Sequence, residues 1–154
     1  MFRIALYQPD IAQNTGTILR LAACLGIAVD IIEPAGFPVS DKAFRRSGMD
    51  YLDHVTWNRH DDFTAFETWR AAEGRRLVLM TTRAALPYAA FAFRPGDVLM
   101  AGRESAGVPE AVHTAADAGI RIPMRPGLRS LNVAVSVSMV AGEALRQLAA
   151  FPSP

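Results

Sequence analysis

The sequence holds one cysteine, Cys24, in 154 residues, so no disulfide can form within the chain. Cys24 lies in an apolar stretch and reads as a small buried hydrophobe, the common role of a free cysteine. A cytoplasmic location is the matching expectation. Histidine is scarce as well: His54, His60 and His113 are scattered, and no zinc-ligand spacing arises. The one local cluster, His60-Asp61-Asp62, reads as a solvated loop and helix cap rather than a metal or acid–base group. No metal is expected. No apolar run reaches the roughly 18 residues that span a bilayer. Met1–Tyr7 is too short for a signal peptide, has no small-residue cleavage site after it, and reads as a first strand. No membrane partner is expected. Excess charge of one sign is also missing, with 16 basic and 15 acidic residues giving a net charge of +1. Overall charge therefore does not announce a nucleic-acid partner. Lys42 is the only lysine and every other basic residue is arginine. Arginine suits bidentate phosphate recognition, although a compositional bias of the source genome gives the same count.

What is present is ordinary globular material, 51% apolar and 20% charged, at the length of one domain spanning residues 1–154. Short β-rich runs alternate with helical ones. Strands are expected at Phe2–Tyr7, Val29–Glu33, His54–Trp57, Leu77–Thr82, Asp97–Ala101 and Gly119–Ile122. Helices are expected at Thr15–Leu25, with Asn14 as N-cap and Gly26 as stop, and at Asp41–Ser47. Others should run from Asp61 or Asp62 to Glu73, over Val108–Ala116, and over Leu131–Ala149. This order predicts an α/β fold, a mostly parallel sheet with helices on both faces. The last helix is apolar nearly all round from Val133 to Ala144, so it must be buried on more than one side, inside the fold or against a second subunit.

Familiar ligand loops are absent. No G-x-G-x-x-G follows the first strand, which weighs against a dinucleotide-binding enzyme. Gly102–Gly107 has the glycine spacing of a phosphate loop but continues as Val108-Pro109, where a Walker loop needs Lys and Ser or Thr. Three segments carry the chemistry that remains. In Asn14–Arg20, the apolar stripe Ile18, Leu21, Ala22, Leu25 faces the core and Arg20 points away, about 200° round from Ile18. Taken alone, that is a solvated arginine. In Leu99–Pro109 a buried strand ends in a two-glycine loop, and Pro109 suits a first helical turn. In Ile120–Asn132 a strand, a rigid loop and a polar helix start follow one another, with Ser130 placed to cap. Thr81-Thr82, Gly102 and Pro123 all lie just past expected strand ends, the edge where open parallel sheets bind ligands.

Taken together these segments resemble the SPOUT class of RNA methyltransferases, and within it the small TrmL-type tRNA ribose methyltransferases. The likeness runs through Leu6–Pro9, Asn14–Gly16 with Arg20, Ile31–Pro34, Gly36-Phe37 and Arg45–Tyr51. It continues through Thr81-Thr82, Gly102–Pro109 and Ile120–Asn132. The resemblance implies a C-terminal trefoil knot and a homodimer formed through the final helix and the knot. It implies S-adenosylmethionine as methyl donor, held by Met80, Gly102, Ile122, Ser130 and Leu131. It implies 2′-O-methylation of the ribose at the wobble nucleotide, position 34, of leucine tRNAs. Arg20 matches the motif arginine near the reacting hydroxyl, as hydrogen-bond donor and charge stabiliser, with Asn14 and Glu104 bracing it. Arg45 and Arg46 match positions suited to RNA phosphates. Ser47, Met49, Gly127-Leu128 and Val133-Ala134 depart from the commoner family residues without removing an implied donor contact. Three rivals stand beside this reading: a non-catalytic dimer that binds donor or RNA, a small-molecule α/β enzyme, and a methyltransferase acting on another RNA site.

Overall fold

The computed structural model describes residues 1–128 and 131–154. Six strands form one all-parallel sheet: β1 (Arg3–Tyr7), β2 (Ala28–Ile32), β3 (Trp57–His60), β4 (Leu77–Met80), β5 (Val98–Ala101) and β6 (Ala118–Ile120). Their order across the sheet is β3-β2-β1-β5-β4-β6. The helices are α1 (Ala12–Leu25), α2 (Asp41–Arg46), α3 (Phe63–Glu73), α4 (Glu110–Ala115) and α5 (Val133–Gln147). Side chains alternate across each strand, which divides the core in two. Ile4 and Leu6 of β1 join Val29, Ile31, Val78 and Leu99 under α1 and α5. Ala5 and Tyr7 join Ile32, Leu77, Leu79 and Met100 under α3 and α4. Helices on both faces explain why the strands read as nearly continuous apolar runs.

Register matters most for function. Leu6 pairs with Ala101, Ala101 with Met80, and Met80 with Ile120. The carboxyl ends of β1, β5, β4 and β6 are therefore level, and their loops emerge side by side. Beyond the strands, Thr81 N donates to Ile120 O at 2.9 Å, and Arg121 N to Leu86 O at 3.0 Å. These bonds hold the segment after β4 against the one after β6.

Several elements differ from the expectations. Helix α1 begins at Ala12 after Ile11, which gives no side-chain cap, so Asn14 lies inside the first turn. Its buried positions are Thr15, Ile18, Leu19 and Ala22; Leu21 and Leu25 are only partly covered. Cys24, about 200° beyond Ala22 on that helix, is exposed rather than buried. The stretch His54–Trp57 is not a strand. A 3-10 turn occupies Leu52–His54 and the strand starts at Trp57. His60 is consequently no solvated loop residue, because it ends β3 and is buried.

His60 belongs to a polar cluster on the α3 side of the sheet. Asp30 of β2 is fully buried. It accepts from Arg3 Nε at 2.7 Å and Nη2 at 3.2 Å, and it meets His60 Nε2 at 2.9 Å. Trp69 covers the Arg3 guanidinium at 5.1 Å. Burial pushes the Asp30 carboxyl up, but the hydrogen bonds from His60 and Arg3 outweigh it and hold the group below its ordinary value. The expected caps of α3 are present, with Asp62 Oδ1 accepting from Ala65 N at 2.7 Å and Gly74 at φ 64°.

Candidate active site

The loops after β4, β5 and β6 and the start of α5 enclose a cavity of about 670 Å³, a size usual for small-molecule sites. Met80, Gly102, Ile122 and Leu131, four of the five residues expected to hold the donor, all line it. Asn14 and Glu104 line it as well. The fifth, Ser130, lies outside the described residues.

The loop after β5 is closed by a local antiparallel bridge: Arg103 N donates to Gly107 O and Gly107 N to Arg103 O, each at 3.0 Å. Gly102 is required by that closure. A Cβ there would stand 2.9 Å from Gly107 C and Cα, both backbone atoms, and 3.1 Å from Val108 Cγ1. Arg103 folds back over the Tyr7 ring at 5.5 Å.

Glu104 ties this loop to the end of β1. Asp10 N donates to Glu104 Oε2 at 3.1 Å, and Glu104 N donates to Asp10 Oδ1 at 3.2 Å. The Ser105 hydroxyl also donates to Asp10. Sharing with Glu104 lowers the Asp10 carboxyl to about 2. Burial, then the neighbouring Asp10, raise the Glu104 carboxyl above its usual value. Asn14 Nδ2 approaches Glu104 Oε1 at 3.4 Å, and Asn14 Oδ1 accepts from Asn132 Nδ2 at 3.0 Å. Asn132 Oδ1 in turn caps α5, accepting from Ala134 N at 2.8 Å and Val135 N at 3.3 Å. Asn14 is thus occupied with joining three segments instead of capping its own helix. Asp10 and Asn132 are site residues that reading the sequence missed. A signal existed for Asn132, since an asparagine at the start of an apolar helix is a preferred cap. Asp10 had none, because nothing local predicts a partner 94 positions away.

Arg20 does not line the cavity. It is exposed on α1, with its guanidinium 5.5 Å above the Tyr51 ring. Arg45 and Arg46 stand together on the exposed side of α2, but they are not equivalent. Arg45 Nε meets Asp41 at 2.6 Å and Arg45 Nη2 meets Asp53 at 2.6 Å. Arg46 makes no ion pair among the described residues. Among those residues no group of three or more His, Cys, Asp or Glu could hold a metal ion, and no helix is long and apolar enough to cross a membrane.

Comparison with known proteins gives a consistent picture. The model of the SpoU rRNA Methylase family matches residues 1–142. A protein of Beijerinckia indica subsp. indica named tRNA (cytidine(34)-2'-O)-methyltransferase is 66% identical over 147 residues, covering 96% of this chain and 92% of its own. A solved structure that concerns the 2-OH methylation of C/U34 on tRNA superposes with a TM-score of 0.88 at 41% identity, covering 97% of both chains. The SpoU methyltransferase AviRb from Streptomyces viridochromogenes, in complex with the cofactor AdoMet, superposes with a TM-score of 0.84 at 25% identity over 97% of this chain and 60% of its own. The chain belongs to the SpoU methylase family.

Proposed function

We propose that this chain is an S-adenosylmethionine-dependent tRNA methyltransferase that modifies the ribose 2′-hydroxyl of the wobble nucleotide, position 34, with leucine tRNAs as its substrates. The observation that carries the reading is one cavity in which Met80, Gly102, Glu104, Ile122, Leu131 and Asn14 converge from four segments of the chain. Its residues fit the donor. Met80, Ile122 and Leu131 offer apolar walls for the adenine, the closed loop at Gly102 presents backbone groups, and the Glu104 carboxylate suits the donor's positive charges.

When bound, the donor would supply an electrophilic methyl group carried on a sulfonium sulfur. The protein's task is then largely alignment, since a poor nucleophile held in line reacts as though at very high concentration. Transfer to the ribose oxygen would leave the donor as its neutral thioether, and the hydroxyl proton would pass to solvent. Arg20 is assigned to the charge that develops on the ribose oxygen. A guanidinium donates hydrogen bonds and accepts none, so its part is stabilisation. Asn14 and Glu104 hold the α1 end against the donor loop, and Ser130 belongs to the donor's seat with Leu131. Arg46 contacts RNA phosphate directly, and Arg45 supports it. With this reading come the remaining parts: a single methyltransferase domain over residues 1–154, a trefoil threading of the C-terminal segment, and a cytoplasmic setting. It also includes a homodimer through α5. On α5, Val135 and Met139 are 48% and 38% exposed four residues apart, apolar side chains that a second subunit would cover.

Calorimetric titration with S-adenosylmethionine and a labelled-methyl assay on unmodified tRNA test the proposal. The expected result is one donor site per chain, and transfer abolished in Arg20→Ala with donor binding intact. No donor binding would overturn it, as would full transfer by Arg20→Ala.

A further inference from the structure

Arg20 is the one residue assigned to the reacting oxygen that stands outside the cavity, and no side-chain hydrogen bond or ion pair holds it among the described residues. A long exposed side chain left alone samples many rotamers. Something must hold the guanidinium if it is to meet a ribose in one orientation.

The Arg20 guanidinium lies over the ring of Tyr51, at 5.5 Å. That ring is itself fixed. The Tyr51 hydroxyl donates to Gly16 O at 2.6 Å, one turn before Arg20 on the same helix. Burial raises the pKa of this hydroxyl above its ordinary value. A Cβ on Gly16 would stand 2.9 Å from Met49 Cε and in ordinary contact, 3.8 Å, with the Tyr51 hydroxyl, so Met49 and Tyr51 both pack against this turn of α1. On either side of the segment, Phe44 and Leu52 are buried and anchor it to the core. The same segment continues α2, so the ring lies five residues beyond Arg46.

We infer that Tyr51 is a positioning residue that seats the Arg20 guanidinium for ribose methylation and links that seat to the arginine-bearing helix α2. The inference rests on the catalytic reading of Arg20. A ring beneath a guanidinium restricts it to a plane without consuming its hydrogen-bond donors, which stay free for the substrate. An acidic partner would have occupied those donors.

The test compares Tyr51→Leu, Tyr51→Phe and Arg20→Ala with the parent under saturating donor and tRNA. Tyr51→Leu is expected to lower kcat roughly 3- to 30-fold, the range such a contact supplies, and to leave the donor Kd unchanged. Tyr51→Phe, which keeps the ring, should retain most of the activity. A second readout needs no turnover: the ring-current shift on the Arg20 side-chain protons, seen by NMR, should persist in Tyr51→Phe and vanish in Tyr51→Leu. An inactive Arg20→Ala enzyme beside a fully active Tyr51→Leu enzyme would overturn the seat alone. A fully active Arg20→Ala enzyme would overturn the catalytic reading, and the seat with it. If Tyr51→Leu does not fold, absence of a ring-current shift on the Arg20 side-chain protons of the parent protein overturns the inference.

Discussion

Replacing Gly102 with alanine is the sharpest probe of the donor loop. The added Cβ would lie 2.9 Å from two backbone atoms of Gly107, and backbone cannot swing aside as a side-chain tip can. Relief requires the loop to open, which strains the two 3.0 Å hydrogen bonds between Arg103 and Gly107. At about 0.5–1.5 kcal/mol net for each bond, the cost is about 1–3 kcal/mol, in agreement with the usual range for overpacking. That cost divides between two observables. A loop that stays closed carries the strain as lost stability, about 2–4 °C of Tm per kcal/mol for a chain of this size. A loop that opens must be closed again by the ligand, about tenfold in Kd for each 1.4 kcal/mol. Calorimetric titration with S-adenosylmethionine and thermal unfolding, done on one preparation, should account for the whole sum. Gly96→Ala is the control, since a Cβ there meets nothing within 4 Å and should change neither quantity. A Gly102→Ala protein with parental Tm and a Kd within about twofold of the parent's would refute the reasoning.

The buried cluster around Asp30 sets a second expectation. Asp30→Asn leaves Arg3 and His60 without their anion and should cost about 3 kcal/mol near neutral pH, the low end for a broken buried pair, because Arg3 keeps 12% exposure and can reach water. The folded pKa of Asp30 is depressed, so its contribution is complete above the unfolded carboxyl value near about 3.9 and fades as pH falls through the folded value. The Tm gap between parent and variant should therefore narrow below about pH 4, and a gap constant across that range would contradict the assignment. On α2, Arg46→Ala should weaken tRNA binding and reduce the salt slope by about 1. Arg45→Ala should do less, since Asp41 and Asp53 already engage that charge; filter binding across a salt series decides between them.

The alternation of apolar runs with helical periods, and the punctuation by Gly26, Asp62 and Gly74, made the layered fold legible. Those signals act within a few residues. The site was legible only in part, for a physical reason. Asn14 precedes a helical run and so looks like a cap, but the structure directs its side chain to Glu104 and Asn132, 90 and 118 positions away. His60 beside two aspartates looks solvated, yet the pairing of β3 with β2 brings it against Asp30. Arg45 and Arg46 are alike in sequence; only the fold places Asp53 against one of them. Asn14 and His60 have partners set by strand order, which local spacing does not encode; Arg45 differs, since Asp41 lies four residues earlier on its own helix and Asp53 only eight residues on.

Locating the methyl group decides whether this chain modifies the wobble ribose of tRNA. The protein, labelled S-adenosylmethionine and tRNA lacking native modification should be incubated together, and the tRNA digested with nuclease and read by mass spectrometry. One 2′-O-methylated nucleoside is expected, at position 34 of leucine tRNAs. Label on a base, or on a ribose elsewhere in the tRNA, would contradict it.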